Sequence, residues 1–172
     1  MPDVLTSSGN AYSNVDLGFS YAPPKEMRDE TIGGRADIRA RAEALHTTKT
    51  LDLLLAMSSG PDVTTPAWHS LMIETYPRQR FSNLDDTSAE GKMSAWVAGF
   101  SGSTEKPRSV VIGGQSFAVS VFSEQDGTIT IKKGAVVWTT IRKGKLLSFA
   151  FVANSPEQLR ALAESMKTIQ FF

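Results

Sequence analysis

The two histidines, His46 and His69, are the side chains of this sequence best suited to acid–base or metal chemistry. A catalytic histidine needs an orienting partner, which the strand predicted around His69 cannot itself supply. No two candidate metal ligands have a useful spacing, and the sequence contains no cysteine to provide a thiolate. We therefore expect both histidines to be structural or surface residues, and we expect no metal and no cofactor.

Three further motifs only partly match catalytic or phosphate-binding patterns. In the segment 99–103, Ser103 occupies the place of the second glycine of a nucleophile elbow, and the segment follows a predicted helix instead of a strand. Gly113-Gly114 lacks the lysine and the helix of a phosphate-binding loop. Asp85-Asp86 precede a predicted helix, where capping explains them. The sequence thus contains no assembled catalytic set, and we predict that the protein is not an enzyme.

The charged residues indicate no nucleic-acid partner, since 18 lysines and arginines balance 18 aspartates and glutamates. Lys132 and Lys133 precede a strand predicted over residues 135–142. Three more cations lie at the other end of this strand: Arg142, Lys143 and Lys145. At about 3.3 Å per residue, the two groups lie roughly 25 Å apart. We expect both to be solvated hairpin tips, although the second group could still meet an acidic partner.

The elements near the end of the chain have the clearest pattern. From Leu146 to Val152 almost every residue is apolar on both alternating faces, which predicts a central strand that is covered on both sides. Ser155, Pro156 and Gln158 have the spacing of a helix cap with proline at the first helical position. The helix that follows has one apolar face, formed by Leu159, Leu162, Ala163 and Met166.

Strands and turns are predicted along the rest of the chain. Gly113-Gly114 and Lys143-Gly144 are two-residue turn signals between apolar runs, which is typical of antiparallel hairpins. Helices are predicted over residues 30–45 and 87–100 from apolar residues on one face. We therefore predict an α+β fold, in which a largely antiparallel sheet of about seven strands is sandwiched by helices as α/β/α.

The 172 residues fit one domain. The polar start, residues 1–11, predicts a flexible N-terminal tail, and residues 12–172 form the predicted single domain. No apolar run approaches the ~20 residues that cross a bilayer. The start has neither the basic nor the apolar segment of a secretion signal, so we expect a cytoplasmic protein, or an exported one whose signal has been removed.

The segment 12–24 resembles the opening of the PsbP-like superfamily: an aromatic residue, a turn, Gly-Phe-Ser-aromatic, and a proline that ends the strand. The end of the chain is also similar to that family, with a hydrophobic strand, a helix capped by Ser155-Pro156-Glu157 and a short terminal strand. The resemblance covers the order of elements along most of the chain and implies an antiparallel sheet between helical layers. Met27 departs from the pattern, because many members have tryptophan after the proline turn.

This resemblance implies a protein that binds a larger partner. Members include an extrinsic subunit of photosystem II, a Ran-binding nuclear protein and bacterial adaptors that chaperone secreted effectors, and most of them are not enzymes. No partner-binding residue transfers to this sequence, because no functional motif of any one subfamily matches it.

Three hypotheses for the function remain. The first is a non-catalytic protein-binding or assembly module of the PsbP-like kind, whose partner is another protein. The second is a small-ligand or lipid-binding domain, in which Trp68, Met72 and Trp138 line an apolar cavity between sheet and helices. The third and weakest is a hydrolase that uses His69 and a carboxylate.

Long loops on a rigid scaffold commonly carry function, so the segment 58–68 is the first place to expect a binding surface. The predicted binding surface contains five residues from two parts of the chain. They are Trp68, His69, Arg142, Lys143 and Lys145.

Overall fold

The computed structural model of the chain describes residues 4–5, 11–46, 51–77, 108–123 and 133–172. The helices in these ranges are α1 (Thr31–Ala44) and α2 (Pro156–Glu164), and a 3₁₀ turn spans Ser165–Thr168. The strands are β1 (Val4–Leu5), β2 (Tyr12–Asn14), β3 (Phe19–Tyr21), β4 (Arg28–Asp29), β5 (Asp52–Ser58), β6 (His69–Pro77), β7 (Arg108–Ile112), β8 (Gln115–Ser123), β9 (Gly134–Arg142), β10 (Lys145–Ala153) and β11 (Gln170–Phe171).

Seven strands form one large antiparallel sheet, in the order β4-β5-β6-β10-β9-β8-β7. Strand β10 lies at its centre, and every residue of β10 after Lys145 is buried. This position confirms the prediction from the apolar run, because a strand with apolar side chains on both faces is stable only where both faces are covered. The predicted α+β sandwich is thereby confirmed.

The large sheet has two distinct faces, which the alternation along β10 defines. Leu147, Phe149 and Phe151 belong to the first face, where they join the main hydrophobic core. Ala150 and Val152 belong to the second face and to a separate cluster. Helix α2 packs on the first face through the buried Leu162, and the 3₁₀ turn that follows packs there through the buried Met166.

A second, small sheet also covers the first face, in the order β1-β2-β3-β11. Phe19 and Tyr21 of β3 each place their ring 5.6 Å from the ring of Phe149 in near edge-to-face contacts. The short strand predicted at the end of the chain is β11, and it pairs with β3 of the small sheet. The sequence did not indicate this sheet, because strands of two or three residues show too few alternations to identify a partner.

Helix α1 packs on the second face, beside strand β5. A β-carbon added to Gly34 would lie 2.7 Å from Leu53 Cδ2, so the glycine allows the close approach of helix and strand. Thr31 Oγ1 accepts a hydrogen bond of 3.0 Å from the Ala56 amide. The rest of α1 is largely exposed, including Ile32 at 86%.

The predicted cap and hairpins take the conformations that their residues favour. The Gln158 amide donates to Ser155 Oγ over 3.2 Å at the start of α2. Gly113 and Gly114 both have positive φ, of 58° and 78°, between β7 and β8. Lys143 and Gly144 have φ of 46° and 76° between β9 and β10. Positive φ at both central residues is the type I′ geometry that matches the twist of paired strands.

Several predictions fall on residues outside the described ranges. These are the helix over 87–100, the segment 99–103, Asp85-Asp86 and Lys132. In the ranges that the structure does describe, no helix has the length and apolar character needed to cross a membrane.

Candidate functional site

Strand pairing separates the five predicted surface residues into two groups at opposite ends of the large sheet. His69, next to Trp68, pairs with Ala153 at one end of β10, and Lys145 pairs with Pro77 at the other. These pairs lie eight residues apart along the strand, roughly 26 Å. We call the two regions the Trp68 end and the Arg142 end, and they cannot form one continuous surface.

At the Arg142 end, the guanidinium of Arg142 is used to hold the fold together. Its Nε donates to Leu17 O over 2.9 Å, and its Nη2 donates to Gly18 O and Phe172 O over 3.2 and 3.0 Å. The guanidinium carbon also lies 4.9 Å from the centroid of the Phe171 ring. Arg142 therefore joins the large sheet to the small sheet.

The two lysines of the same group are exposed. Lys143 is part of the type I′ turn, and its Nζ would lie 3.0 Å from a β-carbon added to Gly18. Lys145 begins β10 beyond that turn. These ammonium groups sit at the hairpin tip, as the spacing in the sequence predicted.

At the Trp68 end, a buried asparagine fixes the loop that precedes β6, residues 59–68, which we call the Trp68 loop. Asn154 Nδ2 donates to Val63 O and Thr65 O over 2.8 and 2.7 Å. The backbone N–H of Asn154 donates to Trp68 O over 3.1 Å. Asn154 is 6% exposed, so the donor side of these partly buried bonds is shielded from competing water.

Hydrogen bonds at both ends of the Trp68 loop add to this constraint. Trp68 Nε1 donates to Gly60 O over 3.0 Å, which closes the loop on itself. The His69 amide donates to Ser59 Oγ over 3.0 Å, and Ser59 N donates to His69 O over 2.9 Å. The loop therefore presents its outward side chains from a fixed backbone.

Asp62 lies at the exposed tip of this loop and caps the turn that follows. Its Oδ1 accepts from the amide and the hydroxyl of Thr64, over 3.0 and 2.6 Å. The hydrogen bonds from Thr64 lower the pKa of Asp62, so the carboxylate stays ionised at neutral pH.

Two clefts flank the Trp68 loop, and the indole of Trp68 contributes to both. The larger has a volume of about 390 Å³, and its polar lining includes Lys25, Glu26, Asp62, His69 and Gln158. The smaller has a volume of about 200 Å³, and its lining includes Glu30, Val63, Ser70 and Met72. The larger volume lies within the range typical of small-ligand pockets.

The hydrogen bond of His69 identifies the tautomer of its neutral ring. Nδ1 lies 2.8 Å from Ala67 O, and a carbonyl oxygen only accepts. Nδ1 therefore carries the proton, and Nε2 is an acceptor. The ring nitrogen is oriented by a backbone carbonyl, whereas a general base is commonly oriented by a carboxylate.

The three residues expected to line one apolar cavity lie on different faces of the sheet. Trp138 packs in the core of the first face, with its ring 6.1 Å from that of Phe117. Met72 pairs with Ala150 of the second face, and Trp68 packs against the second-face cluster. Trp68 and Met72 line the smaller cleft, but Trp138 does not take part in it.

A row of buried polar side chains crosses the second face, and the sequence reasoning missed it. In register on neighbouring strands, Glu74 is opposite Ser148, which is opposite Thr139. Tyr76 donates its hydroxyl proton to Glu74 Oε2 over 2.7 Å. Ser148 Oγ and Ser120 Oγ are buried and have no hydrogen-bond partner among the residues that the structure describes. The sequence feature that could have indicated this row is Ser148, a hydroxyl residue in the middle of the apolar run that predicted the central strand.

None of these groups forms a metal centre. Across residues 4–5, 11–46, 51–77, 108–123 and 133–172, no three histidine, aspartate or glutamate side chains are grouped so that they could hold a metal ion.

Comparisons with known proteins identify a shared fold and no family. No family model matches the sequence, and no curated protein matches it either. A solved structure of a protein from Bacteroides thetaiotaomicron superposes with a TM-score of 0.51 at 13% identity, over 95% of this chain and 48% of that one. The chain thus spans about half the length of that protein. LpqN of Mycobacterium tuberculosis, described as involved in cell envelope biogenesis, has a TM-score of 0.45 at 12% identity, over 98% of this chain and 88% of LpqN.

Proposed function

We propose that the protein is a non-catalytic protein-binding or assembly module of the PsbP-like kind, and that the Trp68 end is its binding surface. The observation that carries this proposal is the Trp68 loop, which partly buried hydrogen bonds hold in place between two clefts. A loop that is fixed before binding loses little conformational entropy when a partner docks, which favours affinity.

The absence of catalysis is part of this proposal. His69 is the ionisable ring in the larger cleft, and the partner of its Nδ1 is the Ala67 carbonyl. A hydrolase would need a group that orients and polarises this ring. Turnover of an ester or amide substrate by the purified protein, lost in His69→Ala, would overturn this part of the proposal.

Site-specific photo-cross-linking in the native extract tests the binding surface. A photoreactive phenylalanine analogue replaces Val63, which is 45% exposed in the Trp68 loop. The matched control replaces Val111, which is 65% exposed on β7 at the far edge of the large sheet. We expect one discrete protein adduct from position 63 and none from position 111. No adduct from position 63, or the same adducts from both positions, would contradict the proposal.

A small-ligand site is the second candidate function, and the smaller cleft favours it. Met72, Val63 and the Trp68 indole give this cleft apolar walls. Native mass spectrometry of the purified protein tests this function. A retained small molecule that Met72→Glu expels would support it, and an unliganded mass for both proteins would contradict it.

A further inference from the structure

Most of strand β5 lies at an open edge of the large sheet. Strand β4 pairs with β5 at Met57 and Ser58, so residues 52–56 have β6 as their one strand partner among the described strands. An edge strand presents unpaired N–H and C=O groups, to which a strand of another chain can add. The outward groups of β5 must therefore find other partners within the fold, or they remain open to pairing.

The start of helix α1 supplies partners for one part of this edge. The Glu30 N–H donates to Ala56 O over 2.8 Å, and the Ala56 N–H donates to Thr31 Oγ1 over 3.0 Å. The Thr31 hydroxyl in turn donates to Asp29 Oδ1 over 2.6 Å, which holds its oxygen in position as an acceptor. Both main-chain groups of Ala56 are thus bonded to the start of α1, in the place where a neighbouring strand would bond to them.

Arg35 of the same helix covers the part of β5 that departs from regular pairing. The register of β5 against β6 shifts between Leu53 and Leu55. Arg35 Nε donates to Leu53 O over 2.8 Å, and its Nη2 donates to Leu54 O over 3.4 Å. A guanidinium carries several N–H donors in one plane, so it can bond to two consecutive carbonyls that a regular strand could not reach together.

Helix α1 is held in this position by polar bonds and by little apolar burial. Thr31 is its one buried residue, and no residue of α1 belongs to the hydrophobic clusters in the described part of the chain. Gly33 and Gly34 each lower the stability of the first turn by ~1 kcal/mol relative to alanine. The position of the helix therefore depends on its bonds to β5, and the same bonds close the edge of the sheet.

We infer that the start of α1 is an edge cover, which prevents β5 from pairing with β5 of a second copy of this chain. Residues 53–57 are five consecutive apolar residues without a charge or a proline, which is the composition of strands that pair between chains when their edge is open. A second copy offers the same apolar stretch, so the two strands match each other in character. The inference is independent of the function proposed for the Trp68 end.

Removal of the cover tests the inference on the whole chain. Thr31→Val and Arg35→Ala together delete three of the four bonds from α1 to the main chain of β5. We expect the average mass of this double variant in analytical ultracentrifugation to rise about twofold with concentration, and that of the native protein to stay constant. Arg39→Ala, an exposed cation on the same helix, is the control and should behave as the native protein does. A double variant that behaves as this control would overturn the inference.

An engineered disulfide separates loss of the cover from loss of folding. The chain has no cysteine, and a β-carbon added to Gly34 would lie 3.8 Å from the β-carbon of Ala56, a separation that a disulfide can span. Gly34→Cys and Ala56→Cys, added to the double variant, fix α1 to β5 when they are oxidised. The Leu53 side chain must turn aside for the new β-carbon in both redox states, so this cost is common to them. We expect the oxidised form to keep the native mass and the reduced form to associate. Association in both redox states, or in neither, would refute the role of α1.

Hydrogen exchange locates the association on β5. In the double variant without cysteines, the Ala56 N–H has lost its acceptor, so we expect its exchange at low concentration to be about tenfold or more faster than in the native protein. At high concentration, pairing with a second copy should slow this exchange again. Association that leaves the exchange of the Ala56 N–H fast would place the contact on another surface and overturn the inference.

Discussion

The two ends of the large sheet carry similar polar side chains, but the fold uses them differently. At the Arg142 end, one guanidinium donates to three backbone oxygens, and these bonds join the two sheets. At the Trp68 end, the amide of buried Asn154 holds the loop, and the charged groups of Glu26 and Asp62 face a cleft. A charged residue at a strand end is therefore a poor guide to a binding surface until its intramolecular partners are known.

The largest effect is expected from Arg142→Ala, which removes three charge-assisted hydrogen bonds and the contact with Phe171. We expect the free energy of unfolding to fall by about 3 kcal/mol. Urea denaturation measures this change, and Lys145→Ala, a neighbouring exposed cation, should change it by less than about 0.5 kcal/mol. A loss in Arg142→Ala as small as that expected for Lys145→Ala would show that Arg142 does not stabilise the fold.

A backbone substitution at the Arg142 end tests the same joint without altering charge. Gly18 has φ of 68°, and a β-carbon there would clash with Phe172 O. We expect Gly18→Ala to cost about 2 to 3 kcal/mol, the sum of a left-handed penalty and a steric clash. Gly144→Ala is the matched control, since its φ of 76° carries the penalty but its β-carbon meets open space. We expect Gly144→Ala to lower the unfolding free energy by about 1 kcal/mol. Thermal unfolding of the two variants separates the left-handed penalty, which both carry, from the steric clash, which only Gly18→Ala carries.

Removing the amide of Asn154 should release the Trp68 loop. Asn154→Ala deletes the bonds to Val63 O and Thr65 O, so we expect a loss of about 2 kcal/mol in unfolding free energy. Hydrogen exchange of loop amides should also accelerate, an effect that Arg142→Ala should not cause. Gln170→Ala, an exposed control on β11, should leave both measurements unchanged. If Asn154→Ala changed neither the unfolding free energy nor the hydrogen exchange of the loop, the Asn154 side chain would not hold the Trp68 loop in place.

The smallest effect is expected midway between the two ends, at the buried polar row. Ser148 Oγ is buried without a partner in the described part of the chain, so Ser148→Ala should stabilise the protein by about 1 kcal/mol. Thr140→Val is the contrasting variant, because the Thr140 hydroxyl donates to Ser116 O and accepts from Gln115. It should destabilise by about 1 kcal/mol. Chemical denaturation measures both, and a loss of stability in Ser148→Ala would show that Ser148 Oγ has a bonded group such as an ordered water molecule.

The elements that the sequence predicted well are those with local causes. The central place of β10 followed from alternation over Leu146–Val152, and the start of α2 followed from Ser155 and Pro156. Both hairpins followed from two-residue turns that contain glycine. For the binding surface, the segment 58–68 was correctly singled out as a long loop, but whether it binds a partner stays a prediction.

Other features could not be predicted because their partners are far apart in the chain. Arg142 meets Leu17 across 125 residues, and Asn154 meets Val63 across 91. No periodicity connects such positions, so the sequence placed Arg142 in the predicted binding surface and did not single out Asn154. The buried row at Glu74 and Ser148 was missed for a related reason, since the sequence does not show that these two residues lie opposite each other on neighbouring strands.

The sequence by itself determined the strand alternation, the helix cap and the turns, because each depends on side chains within a few residues of one another. Only the tertiary structure decided which polar groups form hydrogen bonds within the fold and which ones face a cleft. The physical reason is that a hydrogen bond forms wherever a donor and an acceptor lie close together in space. The pairing of distant strands determines which donors and acceptors do so. Arg142 and Asp62 are both charged residues at turns in the sequence, but the small sheet covers the first, and the second lies exposed beside the larger cleft.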